Sequence, residues 1–295
     1  MFKKRKKIIV GVLGLMMALG LAACGKSSQP ADTGKVQVVA SLDFYGEMAK
    51  AVGGNKVEVQ SIIHSASVDP HDYEPSSADA KDYHKASLII SNGGDYDNWS
   101  TNYAKQNEDA KSIVAAKLTG WKTGGNEHLW YRPDTPKKMT NAIAAKLSEL
   151  RPKDKGYFKK NAASYLTKLA PLRKLQSEAQ KQLAGKTYMA TEPVYDNTLL
   201  TLGAKQVNAG FARAVDDGND PTVAQMKLWR ASVKDKKVAF IINNPQNSGK
   251  MVKQAIAYAK ANGVPVINAT ETMPDGKDYL SWQTGELQQV LDALK

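Results

Sequence analysis

The strongest constraint on this chain is an alternation of short apolar runs with stretches of helical period. The runs, rich in Val and Ile and bounded by turn residues, are VQVVAS (36–41), VEVQSII (57–63), SLIISN (87–92), KTYMAT (186–191), KVAFIIN (237–243) and VPVINAT (264–270). Helical spacing marks Phe44–Val52, Ala78–Ala86, Thr222–Lys234 and Lys250–Asn262. Near-continuous apolar strands alternating with helices predict parallel sheets covered on both faces. Three runs precede residue 100 and three follow residue 185, so the pattern predicts an α/β chain of two Rossmann-like lobes. No fixed-period repeat relates the two groups.

Pro136–Ala184 separates them and is dense in Ala, Leu, Lys, Gln and Glu. Its portion Lys155–Ala184 is long enough for a helix of about 45 Å at 1.5 Å per residue. Pro171, in its interior, should kink it or break its hydrogen-bond ladder locally. The expectation is one long rigid spine helix over 154–184 between lobes at 36–153 and 185–295. A helical hairpin packed on one lobe is the alternative.

The N-terminus carries a different signal. Lys3, Lys4, Arg5, Lys6 and Lys7 precede sixteen uncharged residues, Ile8 to Ala23. That run is shorter than the roughly 20 residues a membrane-spanning helix needs and ends in small residues, so 1–23 reads as a secretory signal. Leu21-Ala22-Ala23-Cys24 looks like a bacterial lipobox (21–24), which makes Cys24 the lipidated first residue of the mature chain. An N-terminal membrane helix with an incidental cysteine is the bland alternative. Lipid on Cys24 would add about 0.8 kcal/mol of membrane affinity per buried CH₂. The polar segment 24–35, with its Pro, Gly and Ser, reads as a flexible tether.

Cys24 is the only cysteine, so no internal disulfide holds the fold, and stability must come from buried apolar surface. Of 41 basic residues five lie in the leader, leaving 36 against 29 acidic ones. This mild excess is spread along the chain without basic-aromatic interleaving, which argues against nucleic acid as a partner.

Open α/β sheets bind ligands beyond the C-terminal ends of their strands. Four groups stand there or nearby. Asp69-Pro70-His71 follows the second run, and Ser76-Ser77-Ala78-Asp79 behind it matches a capping box. His128 sits in Asn126-Glu127-His128-Leu129-Trp130-Tyr131. Glu192 follows the run KTYMAT, and Glu271 follows VPVINAT. Each alone reads more readily as a surface or hydrogen-bonded histidine or as a helix cap. Together, two imidazoles and two carboxylates are the ligand types that hold first-row divalent metals. No pair stands at a short diagnostic spacing.

At these residues the chain resembles the zinc- and manganese-specific solute-binding lipoproteins of bacterial ABC importers, the cluster A-I group. The resemblance is carried by VVAS (38–41), AVGG (51–54), DPHDYEP (69–75), NGGDYDNW (92–99), EHLWY (127–131), TEP (191–193) and TETMPDG (270–276). It implies two four-stranded α/β lobes joined by a rigid helix, with one divalent ion, Zn²⁺ or Mn²⁺, bound as cargo in the cleft between them. It implies His71, His128, Glu192 and Glu271 as the ligands. Glu192 stands where manganese-type members have Glu and many zinc-type members have His. Glu271 stands where the family usually has Asp, and Asp275 is the runner-up for that role. Arg132 replaces an Asp found in many relatives. The long His-rich loop of zinc-type members is missing, since the chain has only four histidines. His64 and His84 match no ligand position and read as surface residues.

The function implied is capture of the ion at the outer face of the cytoplasmic membrane and delivery to an ABC permease. The chain would be a lipid-anchored monomer without enzymatic activity. A surface adhesin with a structural metal and a zinc-dependent hydrolase are the alternatives. The hydrolase reading lacks a general base beside an open coordination position. Gly93-Gly94-Asp95 reads as a turn with no nucleotide role.

Overall fold

A computed structural model describes residues 34–66, 68, 70, 73–247 and 249–295. The leader, Cys24 and His71 lie outside the described residues. Residues from Val36 onward form one compact unit containing two parallel sheets. The first holds β1 (Val36–Leu42), β2 (Val57–Ile63), β3 (Leu88–Ser91) and β4 (Lys111–Val114) in the order β2-β1-β3-β4. The second holds β5 (Thr187–Ala190), β6 (Lys205–Gln206), β7 (Phe240–Asn243) and β8 (Val266–Asn268) in the order β6-β5-β7-β8. The two orders are the same, so each lobe has its switch of winding direction between the two central strands.

All six apolar runs became strands. The two strands that the apolar pattern misses, β4 and β6, lie at sheet edges. Lys111 and Ser112 of β4 are exposed, and β6 is only Lys205–Gln206, so neither carries a continuous apolar signal. Edge strands bury less, and their sequences are freer to be polar.

Along the chain the strands of the first sheet alternate with helices α1 (Asp43–Gly53), α2 (Ser77–Lys85) and α3 (Asn98–Gln106), and α4 (Ala115–Thr119) and α5 (Thr135–Leu150) follow β4. The expected capping box starts α2: Ser76 Oγ accepts from Asp79 N, and Asp79 Oδ2 accepts from Ser76 N. At the end of β3, Gly93 and Gly94 both adopt φ +68°, and a Cβ on Gly93 would sit 2.5 Å from Val114 Cγ1. Only glycine fits there. Buried Asp97 secures the turn by accepting from Asn92 N and Gly93 N, each at 2.7 Å.

The connector departs from a single helix. It is α6 (Lys155–Lys168) followed by α7 (Ala170–Leu183), interrupted at Leu169. Pro171 in the first turn of α7 cannot donate to the preceding turn, which is the physical cause of the break. Arg173 compensates by donating from Nη1 to Leu166 O at 2.8 Å. The interruption falls where packing changes sides: α6 lies against α1 and α5, whereas α7 lies against the C-terminal helix. The second lobe is completed by α8 (Asp196–Thr201), α9 (Ala209–Asp216), α10 (Val223–Lys234), α11 (Lys250–Ala261) and that helix, α12 (Tyr279–Asp292).

One hydrophobic core runs through both lobes. At its centre the Phe44 ring of α1 packs on Trp130 at 5.1 Å and on Trp282 of α12 at 5.5 Å between centroids. Tyr131 stands edge-on to Tyr195 at 4.8 Å and to Trp282 at 5.5 Å. These rings come from both halves of the sequence. Phe44→Ala should therefore cost about 3–5 kcal/mol in urea unfolding. Both lobes should still lose structure in one transition, checked by following far-ultraviolet circular dichroism and tryptophan fluorescence together.

Candidate metal centre

Glu192, Asn244 and Glu271 follow β5, β7 and β8, at the carboxyl ends of three adjacent strands of the second sheet. Glu192 and Asn244 stand on either side of that sheet's switch point, the crevice where such sheets bind ligands. His128 comes from the first lobe, on the loop that leads into the short 3₁₀ turn Leu129–Tyr131. The structure brings His128, Glu192 and Glu271 together, all buried. Asp275 is exposed, so Glu271 and not the runner-up joins the cluster. His64 and His84 are exposed, as expected.

His128 is held in one tautomer. Asn126 Nδ2 donates to Pro193 O at 2.6 Å, which fixes Asn126 Oδ1 as the acceptor facing the imidazole. His128 Nδ1 donates to that oxygen at 3.1 Å, which leaves Nε2 as the ring nitrogen able to take a proton or a metal. Nε2 is buried without a hydrogen-bond partner, and Glu271 Oε2 lies 3.8 Å away. Burial alone would lower the imidazole pKa, but the Glu271 carboxylate overrides it and holds the ring above its usual 6.5. A buried basic nitrogen pointing at a carboxylate is poised for a cation, whether proton or metal.

The acids are arranged by amides. Asn244 Nδ2 donates to both Glu192 Oε2 and Glu271 Oε1, at 2.5 and 2.7 Å. Asn247 Nδ2 donates to Glu192 Oε1, and Tyr96 donates to Glu271 Oε2 at 3.2 Å. Burial and then the charge of Glu271 raise the Glu192 pKa. Two buried like charges are costly unless a cation joins them.

A second grouping places Glu127, His128 and Asp216 with one potential ligand atom each inside 4.8 Å. There a cation is already supplied: Arg213 Nη1 lies 3.2 Å from Asp216 Oδ2 and 3.6 Å from Glu127 Oε2. A guanidinium satisfies these acids and repels a divalent ion, so the Glu192–Glu271 side is the stronger candidate.

Reading the sequence missed Asn126, Asn244 and Asn247. Asn244 directly follows a strand, so the strand-end rule reaches it. These amides act by orienting the imidazole and the acids. It also missed Glu286 of α12, which accepts from Tyr131 Oη at 2.6 Å and Thr270 N at 3.1 Å and ties the Glu271 loop to the first lobe. Burial lifts its pKa to about 7.

Two parallel α/β lobes, with buried acids at the strand ends of one and an imidazole on a loop of the other, form a candidate site for a small cation. Comparison with known proteins places it further. The chain belongs to the ZnuA family, the periplasmic component A of zinc-uptake complexes, whose profile matches residues 38–293. The family is one of transport binding components and not of enzymes. The chain is 31% identical to the metal ABC transporter substrate-binding lipoprotein ScbA of Streptococcus cristatus, over 98% of this chain and 99% of ScbA. It is 32% identical to the corresponding lipoprotein FimA of Streptococcus parasanguinis, but that match spans only 60% of this chain and 62% of FimA. The Zn(II)-bound ZnuA-like domain of Streptococcus pneumoniae AdcA superposes with a TM-score of 0.70 at 24% identity, covering 88% of this chain and 99% of that domain. That likeness establishes the fold. Among the described residues no helix is long and apolar enough to cross a membrane.

In protein stripped of metal with a chelator, the His128 imidazole should titrate above 6.5, read by NMR. Its pairing with Glu271 stabilises the fold fully below pH 6.5, and the contribution fades as pH rises through the elevated value. Glu271→Gln should return the titration toward or below 6.5.

Proposed function

We propose that this protein is an extracytoplasmic solute-binding protein that captures one Zn²⁺ or Mn²⁺ ion and delivers it to an ABC import permease. Lobes at 36–153 and 185–295, joined through 154–184, would grip the ion between His71 and His128 of the first and Glu192 and Glu271 of the second. Cys24 would carry the lipid that keeps the monomeric protein at the outer face of the membrane.

The observation that carries this reading is the unpartnered, buried His128 Nε2 facing Glu271, with Glu192 tied to the same amide. Two neutral imidazoles and two carboxylates balance the charge of a divalent ion, which relieves the repulsion between the buried acids. His71 follows the 66–70 segment of the first lobe, to which Gln246 of the second lobe donates at Ala66 O and Val68 O.

Calorimetric titration of chelator-treated protein should give one site per chain. His71→Ala and His128→Ala should each weaken binding by at least about 100-fold, since losing a ligand costs more than losing the residue that orients it. Affinity should fall as pH drops through the raised His128 pKa, because the proton and the metal compete for Nε2. Removing the metal should leave the circular dichroism spectrum folded and lower the melting temperature only by the linkage that mass action requires. Unfolding on chelation would instead mark a structural ion.

A further inference from the structure

Glu286 is a buried acid outside the proposed ligand set, and its carboxyl reaches both lobes. Oε1 accepts from Trp282 Nε1 at 2.8 Å and from Thr270 N at 3.1 Å. Oε2 lies 2.6 Å from Tyr131 Oη, and the same hydroxyl lies 2.7 Å from Thr270 O. Thr270 directly precedes Glu271, and Tyr131 ends the 3₁₀ turn that follows His128. One carboxyl and one phenol therefore grip both the N–H and the C=O of Thr270.

The hydrogens do not balance if that carboxyl is ionised. A phenol has one hydrogen, while a carboxylate and a peptide carbonyl have none. Tyr131 Oη thus faces two acceptors, each at the distance of a full O–H···O bond, with a hydrogen for one of them. A proton on Glu286 Oε2 supplies the second. Oε2 then donates to Tyr131 Oη, and Tyr131 donates to Thr270 O. Oε1 stays a pure acceptor, as its two donors require. Around this carboxyl stand the phenols of Tyr131, Tyr195 and Tyr279. Exposed Lys277 shares with it the lining of a surface cavity of about 260 Å³.

We propose that Glu286 is a positioning residue that works as a neutral, protonated acid, locking the loop of Glu271 to the turn behind His128 before any ion arrives. Its consequence for metal affinity rests on the binding function given above. Loops already ordered in the metal-free protein need no ordering at binding, which strengthens affinity. Burial is the largest influence on this carboxyl and lifts its pKa to about 7, so the acid keeps its proton through mildly acid conditions. Ionisation leaves Tyr131 one hydrogen short and frees one side of the grip. The lock therefore stabilises the fold fully below the ordinary value of 4.5 and fades as pH rises through about 7.

Glutamine distinguishes a neutral acid from a carboxylate. Its NH₂ stands where Oε2–H would be, and its oxygen remains for Trp282 and Thr270. At mildly acid pH, Zn²⁺ affinity by calorimetry should stay within about 3-fold of the parent in Glu286→Gln and fall by at least about 10-fold in Glu286→Ala, as expected for a group that orients a ligand. A glutamine as damaging as alanine, or an alanine variant as tight as the parent, overturns the proposal. Tyr131→Phe keeps the ring and removes the shared hydroxyl, so it should repeat the alanine loss even if Glu286→Ala does not fold. Parent-like binding by Tyr131→Phe refutes the lock. The proton itself is read without metal, from the infrared difference between the chelator-treated parent and Glu286→Gln. A carboxylic-acid C=O band should appear one pH unit below about 7 and vanish above it, and a carboxylate band on the acid side overturns the proposal. If the parent takes up no Zn²⁺, the proposed function fails, and the infrared bands still decide the state of Glu286.

Discussion

The molecule depends on an aromatic seam in which Phe44, Trp130 and Tyr131 of the first half meet Tyr195 and Trp282 of the second. Each of these rings is almost fully buried. Aromatic side chains combine large buried area with a definite edge-to-face geometry, so they both hold two lobes together and fix their angle. Hydrogen bonds from the second lobe to the backbone of the His128–Tyr131 segment extend the grip. Tyr279 Oη donates to Trp130 O, Thr198 Oγ1 to Tyr131 O at 2.5 Å, and Asn197 Nδ2 to His128 O at 2.8 Å. The loop bearing His128 is therefore built as much by the second lobe as by the first. The His128 imidazole and the buried acids meet because that seam sets the distance.

Within this frame the cluster is electrostatically expensive. Glu192 and Glu271 are buried acids within reach of one amide group. Amide donors spread the negative charge without neutralising it, which keeps the acids ordered and hungry for a cation. Around Glu127 and Asp216 the opposite solution prevails, with Arg213 supplying the charge at an exposed rim. The same imidazole thus stands near two sets of acids, of which one is paired with a guanidinium.

Much of the fold was legible from residue pattern because its signals are local and strong. Six strands announced themselves as Val- and Ile-rich runs, and Pro171 marked the break in the connector. The edge strands β4 and β6 were silent because half-exposed strands need no apolar run. The matching strand order of the two sheets was equally hidden, since topology leaves no residue-level repeat. At the site, the rule that ligands gather beyond strand ends pointed to His71, Glu192 and Glu271, with His128 nearby, and the resemblance implied the same four; the structure gathers His128, Glu192 and Glu271. What no spacing rule could reveal was the tautomer of His128, which depends on Asn126 and, through Pro193 O, on the other lobe. Nor could it reveal Glu286, which sits in a helix 15 residues beyond the loop it secures.

The interruption at Leu169 turns the connector into two levers that share a fulcrum. Each arm is a 14-residue helix, about 20 Å long at 1.5 Å per residue. Flexing by only a few degrees at that point would swing a distal end by on the order of an ångström, the margin between a formed hydrogen bond and a broken one. The Arg173 guanidinium on Leu166 O acts as a splint across the fulcrum, tying the last turn of one arm to the first turn of the other.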